Sequence, residues 1–201
     1  MKLAESKTAL LRVEHQEQQD DAPLTLARMN QFLQSVEKRA FIVARLATKD
    51  AEEALDIVQE AMLKLVQRYS QCSEAEWAPL FHTILQSKIN DWHRRQQVRN
   101  RWRVFFNHDA DDEDHSDLEE LVAQDVFLEP ERQLAVEELN GRLLQVIGQL
   151  PLRQQQALIL RAWEGYDITQ TAQIMKCSEG SVKTHYSRAV HNLREKLEDF
   201  S

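Results

Sequence analysis

The chain is 201 residues long and carries 33 acidic against 25 basic side chains, a net charge of −8, with only four glycines and four prolines. That length suits one medium domain or two small ones, and the scarcity of helix breakers beside abundant Leu, Ala, Glu, Gln and Arg points to an all-α protein. No apolar run approaches the roughly twenty residues that span a bilayer, and two distant cysteines without ligand-spaced partners argue against a disulfide framework and for a reduced, cytoplasmic protein.

Residues 1–25 are polar, rich in Gln and Glu, and read as a disordered or loosely helical extension. Met1 to Lys7 lacks the apolar core of a secretory signal, and Met29 is a candidate alternative start. From Leu26 to Leu46 the positions Phe32, Leu33, Val36, Ala40, Val43 and Ala44 recur at helical spacing and predict a first helix. A second is expected from about Ala51 to Tyr69. At about 100° per residue, Ala54, Leu55, Val58, Ala61, Met62, Leu65 and Tyr69 form its apolar face. Opposite lie Asp56, Gln59, Glu60 and Gln67, with Leu63 alone among them. A single exposed leucine is ordinary on protein surfaces. Ringed by Asp56, Gln59 and Glu60, it equally fits the apolar centre of a protein-binding patch with a polar rim.

A third helix is expected from about Trp77 to Arg103. The stretch Lys88–Arg103 holds six Lys or Arg and one acid, Asp91, while Asp109–Asp125 holds nine acids and no Lys or Arg. The overall negative charge therefore hides a basic segment. Trp77, Phe81, Trp92, Trp102, Phe105 and Phe106 interleave with Lys88, Arg94, Arg95, Arg99, Arg101 and Arg103. Cations that hold phosphates beside aromatic faces that accept unstacked bases suit single-stranded nucleic acid. The plainer reading is an amphipathic helix with its aromatics in a core, and for Phe81, Ile84, Leu85 and Ile89 that reading is the better one. Residues 107–130 break all periodicity and read as an acidic flexible linker. They split the chain into two small helical domains, 26–106 and 131–201.

The second domain carries the strongest local pattern. Ile168–Met175 predicts a short helix with the small Ala172 at its middle, Lys176-Cys177-Ser178 a turn, and Glu179 to about Leu197 a longer helix. Val182, Tyr186, Ala189, Leu193 and Leu197 form the inner side of that longer helix. Two crossed helices need a small residue at their contact and an apolar one to seal it, and Ala172 and Val182 supply both in the manner of a helix-turn-helix. Ser178 is placed to cap the second helix. Glu179, Ser181, Lys183, Thr184, Ser187 and Arg188 are its exposed positions near the N-terminus, of a kind suited to base edges and phosphates in a major groove.

These residues resemble a known family. Leu150-Pro151-Leu152-Arg153-Gln154-Gln155-Gln156, Glu164-Gly165-Tyr166 and Glu179-Gly180-Ser181-Val182-Lys183-Thr184 are similar to region 4 of extracytoplasmic-function sigma factors of the sigma-70 family. Asp56-Ile57-Val58-Gln59-Glu60-Ala61-Met62-Leu63 resembles their region 2.2, and Asn90-Asp91-Trp92-His93-Arg94-Arg95 the end of region 2.3 and start of 2.4. The resemblance implies a subunit of bacterial RNA polymerase that directs promoter-specific initiation, does no bond chemistry and needs no cofactor. It implies that Asp56, Gln59, Glu60 and Leu63 dock on the β′ clamp helices of the core enzyme. Lys88, Asn90, Asp91, Arg94, Arg95 and Arg99 would engage the −10 element. The segment Ser178 to Arg188, including Gly180, would read the −35 element, with the outer surface of that domain meeting the β flap. An anti-sigma factor is a further partner that the family often has. Lys176 stands where the family usually has Gly, which implies a lysine in left-handed backbone. Thr171 and Ser87 replace a branched aliphatic and an Asn.

Two other readings compete. A stand-alone helix-turn-helix regulator with an N-terminal interaction domain would bind duplex DNA without polymerase; the Asp56–Leu63 face and the single-strand-type basic segment argue against it. A metal-dependent enzyme would use His108, Asp109, Asp111, Asp112, Asp114 and His115. That run lacks the turn glycine of a calcium loop and any His pair at helical spacing, so the expectation is no metal site.

Overall fold

The computed structural model describes residues 26–106 and 140–198, the side chains of 102–106 excepted. The expected extension at 1–25, the acidic linker at 107–130, its His and Asp cluster, and the start of the second domain at 131–139 lie outside the described residues. What is described is helical, without a strand.

Helix α1 spans 26–48. Lys49 then takes a left-handed backbone, φ 59°, which breaks the helix. Asp50 starts α2 (Ala51–Tyr69) by accepting from the N–H groups of Glu52 and Glu53 at 2.9 and 3.1 Å. Acids in the first turn and Arg68 in the last suit the helix dipole. The buried side of α2 is Ala54, Ile57, Val58, Ala61 and Leu65. Leu55, expected on that face, is instead 45% exposed. The neighbouring helices cover an arc centred nearer Ile57 than periodicity alone indicated, and Leu55 falls just outside it.

Ser73 opens α3 (Glu74–Phe106), its N–H and hydroxyl both donating to the Glu76 carboxylate at 3.1 and 2.7 Å. Those two hydrogen bonds hold the Glu76 carboxyl below its ordinary value. At ~1.5 Å per residue, the 33 residues of α3 form a rod roughly 50 Å long. Its buried residues, Trp77, Phe81, Ile84, Leu85 and Ile89, pack with α1 and α2 in one core. Phe32 of α1 sits 5.9 Å from the Trp77 ring and edge-on to Phe81 at 6.2 Å.

The second unit comprises α4 (140–148), α5 (Leu152–Leu158), α6 (Ile168–Met175) and α7 (Glu179–Glu198). Pro151 precedes α5, and the helix widens into a π turn over Ile159–Trp163 before Gly165 turns the chain at φ 75°. Asp167 and Gln170 form a reciprocal capping box at the start of α6. Ala157, Leu160, Ala172, Ile174, Met175 and Val182 make a small core of their own. The rest of the unit's apolar side, including Leu144, Ile147, Leu158 and Ile159, is continuous with the core of the first unit. The two helical domains therefore meet along a seam.

Candidate nucleic-acid interface

The helix-turn-helix stands as the sequence indicated. Ala172 lies at the crossing of α6 and α7, and Val182 is fully buried against it. Lys176 is left-handed, φ 52° and ψ 51°, and its neighbour Cys177 returns an N–H to the Ala172 carbonyl at 3.0 Å. Ser178 caps α7, accepting from the Ser181 N–H at 3.1 Å. Of the expected reading face, Ser178, Glu179, Gly180, Lys183, Thr184, Ser187 and Arg188 are exposed and Ser181 is half-buried. The Glu179 carboxylate accepts from the Thr169 hydroxyl at 2.8 Å, tying the start of α7 to α6. Lys183, Thr184, Ser187 and Arg188 recur at three- and four-residue spacing and share one outward side.

On α2, Asp56, Gln59, Glu60 and Leu63 are all exposed, Leu63 to 57%. The exposed Leu55 lies one turn before Gln59 at the edge of this side, a feature that assignment to the core had hidden. The six expected −10 residues on α3 do not form one open patch. Arg94, Arg95 and Arg99 are exposed, with Arg94 paired to Asp91 one turn back. Lys88 is drawn toward α2, its ammonium 2.5 Å from the Glu60 carboxylate. Asn90 is half-buried, and its Oδ1 accepts from the Gln156 amide at 3.0 Å. Trp77, Phe81 and Trp92 are core residues, Trp92 only 9% exposed, so none offers a ring face for base stacking. Phe81 is in the core as expected, and the aromatic half of the single-strand reading fails for Trp77 and Trp92 because the packing of α3 on α1 and α2 uses their faces.

His93 follows Trp92 on the same helix. Burial pushes its imidazole below the ordinary value, partly offset by the ring N–H donated to the Ala47 carbonyl. A histidine with a depressed folded value supports the fold above about pH 6.5 and loses that support as pH falls through the folded value. The melting temperature is therefore expected to fall between about pH 7 and 5 more steeply in the wild type than in His93→Gln. Equal slopes by thermal circular dichroism would contradict this.

Residues that the sequence reading quoted only for the family resemblance, or not at all, line the seam. Gln155 is buried and donates to the Leu46 and Ile147 carbonyls at 3.3 and 3.0 Å. Glu164, in the turn before α6, reaches His82 of α3 and Arg39 of α1, each at 3.4 Å. Burial alone would raise the Glu164 carboxyl, but the hydrogen bond and attraction to His82 and the charge of Arg39 outweigh it and hold the group low. The adjoining Tyr166 hydroxyl is pushed up to about 12 by burial and by the Glu164 charge. Only folding brings 39, 82 and 164 together, so no local motif announced them.

Comparison with known proteins bears on the same elements. The family model described as sigma-70, region 4 matches residues 140–193, which include α4 to α6 and most of α7. The ECF RNA polymerase sigma factor SigX of Bacillus subtilis is 30% identical over 155 residues, 75% of this chain and 73% of that protein. The chain belongs to the ECF sigma factors. The RNA polymerase sigma-H factor of Pseudomonas aeruginosa is 31% identical over 140 residues, 70% of each chain. The fold is also that of the sigma factor RpoE of Bartonella quintana, solved in complex with the anti-sigma factor NepR. That match has a TM-score of 0.60 at 20% identity and covers 84% of this chain and 96% of that one.

As a sigma factor, the protein is a partner of RNA polymerase and promoter DNA and acts in promoter-specific transcription initiation. Its family is regulatory rather than enzymatic. Among the described residues no helix is long and apolar enough to cross a membrane.

Proposed function

We propose that this sigma factor divides its work between two domains, 26–106 and 131–201, joined by the acidic segment 107–130. The first docks on the β′ clamp helices of core polymerase through Asp56, Gln59, Glu60 and Leu63. Its α3 engages the −10 element through Asn90, Asp91, Arg94, Arg95 and Arg99. Lys88 acts at the boundary of these two surfaces, where its pair with Glu60 ties α3 to α2. The second domain sets Ser178 to Arg188 in the −35 major groove and turns its outer surface to the β flap. The chain works in the cytoplasm, contributes no bond chemistry and uses no metal or cofactor; the polymerase makes the RNA. An anti-sigma factor is a further partner, as it is for the Bartonella protein.

One observation carries the reading. A capped helix with an exposed Lys183–Ser187–Arg188 side follows, in the order the family requires, a helix that exposes Leu63 among Asp56, Gln59 and Glu60. Replacing Lys183 and Arg188 together with Ala removes two contacts of the kind worth about 1–3 kcal/mol each. Transcription by the reconstituted holoenzyme is expected to fall about thirtyfold or more on promoters that depend on the −35 element, with core binding unchanged. Normal transcription by the double variant removes this surface from the −35 assignment.

A further inference from the structure

The first turns of α6 and α7 meet, and both are fixed by their caps. Asp167 and Gln170 close the start of α6. At the start of α7, Ser178 accepts the Ser181 N–H and lies 2.9 Å from its hydroxyl. Thr169, in the first turn of α6, donates its hydroxyl to Glu179 Oε1 at 2.8 Å, and Glu179 is exposed. Lys183 stands four residues on, the spacing at which a Glu and a Lys ordinarily pair along a helix. Here the carboxylate turns to Thr169 instead, and among the described residues Lys183 has no ion-pair partner. The bond occupies Oε1 and leaves Oε2 open to an outside donor.

An acid in the first turn suits the helix dipole. That does not explain a carboxylate, fixed in place, on the part of a recognition helix that meets base edges. Phosphate oxygens repel it, as do the guanine N7 and O6 and thymine O4 acceptors. In the major groove only cytosine N4 and adenine N6 donate, and adenine sets its N7 acceptor beside its donor. An acceptor-only group therefore favours cytosine.

Gly180 bears on how near a base comes. Its backbone is not left-handed, and a Cβ there would meet nothing closer than Ser178 Oγ at 3.9 Å. Glycine weakens a helix relative to alanine, and no contact within the protein requires one here. Bare backbone beside Glu179 instead lets an outside surface approach closely.

We propose that Glu179 is a specificity-determining residue that accepts a hydrogen bond from the N4 amino group of one cytosine in the −35 element. Thr169 is its positioning residue, and Gly180 gives the base edge its approach. The proposal rests on the −35 assignment of α7 and names a base that this helix reads. Held away from Lys183, the carboxylate is in place before DNA arrives, and Lys183 stays available for a guanine or a phosphate. Rejection of other bases comes from repulsion as much as from the bond itself.

The test uses holoenzyme reconstituted from core polymerase and the full chain. It transcribes a pool of promoters randomised across the −35 element, each with a transcribed barcode that sequencing counts. Wild type is expected to favour cytosine about tenfold over the other bases at one position, the scale of one good base contact. Glu179→Gln sets an amide in the same place, and an amide pairs with adenine. The preference at that position should pass from cytosine to adenine while other positions keep theirs. Thr169→Val keeps the side-chain shape and removes the hydroxyl, and should weaken the cytosine preference about threefold without moving it to another base. Gly180→Ala should melt no lower than wild type yet transcribe cytosine-bearing promoters less. If Thr169→Val melts lower but keeps every base preference, its bond only fastens α6 to α7 and the positioning role is overturned. Glu179→Gln with wild-type preferences at every position overturns the proposal and leaves the −35 assignment standing. A wild type with no preference anywhere in the −35 element overturns that assignment, and this proposal with it.

Discussion

Leu63→Glu is expected to abolish stable binding to core RNA polymerase while leaving the fold intact. Leu63 is 57% exposed on α2, so its replacement empties no cavity. Glu is nearly as good a helix former as Leu, and substitutions at such sites usually stay within about 0.5 kcal/mol of the wild type. The cost appears only on docking. A carboxylate at the centre of the patch must be stripped of water with no assigned partner, and it adds to the charges of Asp56 and Glu60 on the same side. A penalty of at least about 2 kcal/mol, roughly thirtyfold in affinity, follows. Titration of labelled core with wild type and variant checks it, alongside matched melting curves. Unchanged affinity would show that α2 faces something other than the clamp.

Leu160→Ala is expected to have the opposite distribution of effects. Leu160 is completely buried in the small cluster with Ala157, Ala172, Ile174, Met175 and Val182 that fixes α5, α6 and α7. Truncating a buried leucine costs about 2–5 kcal/mol, a large share of what so small a core supplies. The helix-turn-helix should loosen and −35-dependent transcription fail, while the α2 face continues to bind core. Heteronuclear NMR of the purified variant reads the two halves separately. Cooperative loss of both sets of signals would show that the seam makes the two units one folding domain.

Much of the local architecture was legible beforehand, and for identifiable reasons. Helix α2 runs from Ala51 to Tyr69 as periodicity indicated, because Asp50 caps it and Arg68 closes it. The left-handed Lys176, the Ser178 cap and the Ala172–Val182 contact follow from short-range rules that need no tertiary knowledge. Leu55 was misplaced because the width of an apolar stripe is set by the neighbours that cover it. The aromatic stacking surface was misjudged for the same reason. A tryptophan beside arginines looks alike in sequence whether its ring meets a base or, as Trp77 and Trp92 do, the protein's own core.

By itself the sequence determined the helices, their caps, the helix-turn-helix, the exposed Leu63 face and the family, since each depends on residues close together in the chain. Only the tertiary structure decided that the two units lie against each other and that Gln156 covers Asn90. It alone drew Lys88 to Glu60 and gathered Arg39, His82 and Glu164 into one cluster at the seam. Those contacts join positions as far apart in the chain as 39 and 164. They are made by single polar side chains with no periodicity to betray them, and their worth depends on burial that only packing confers.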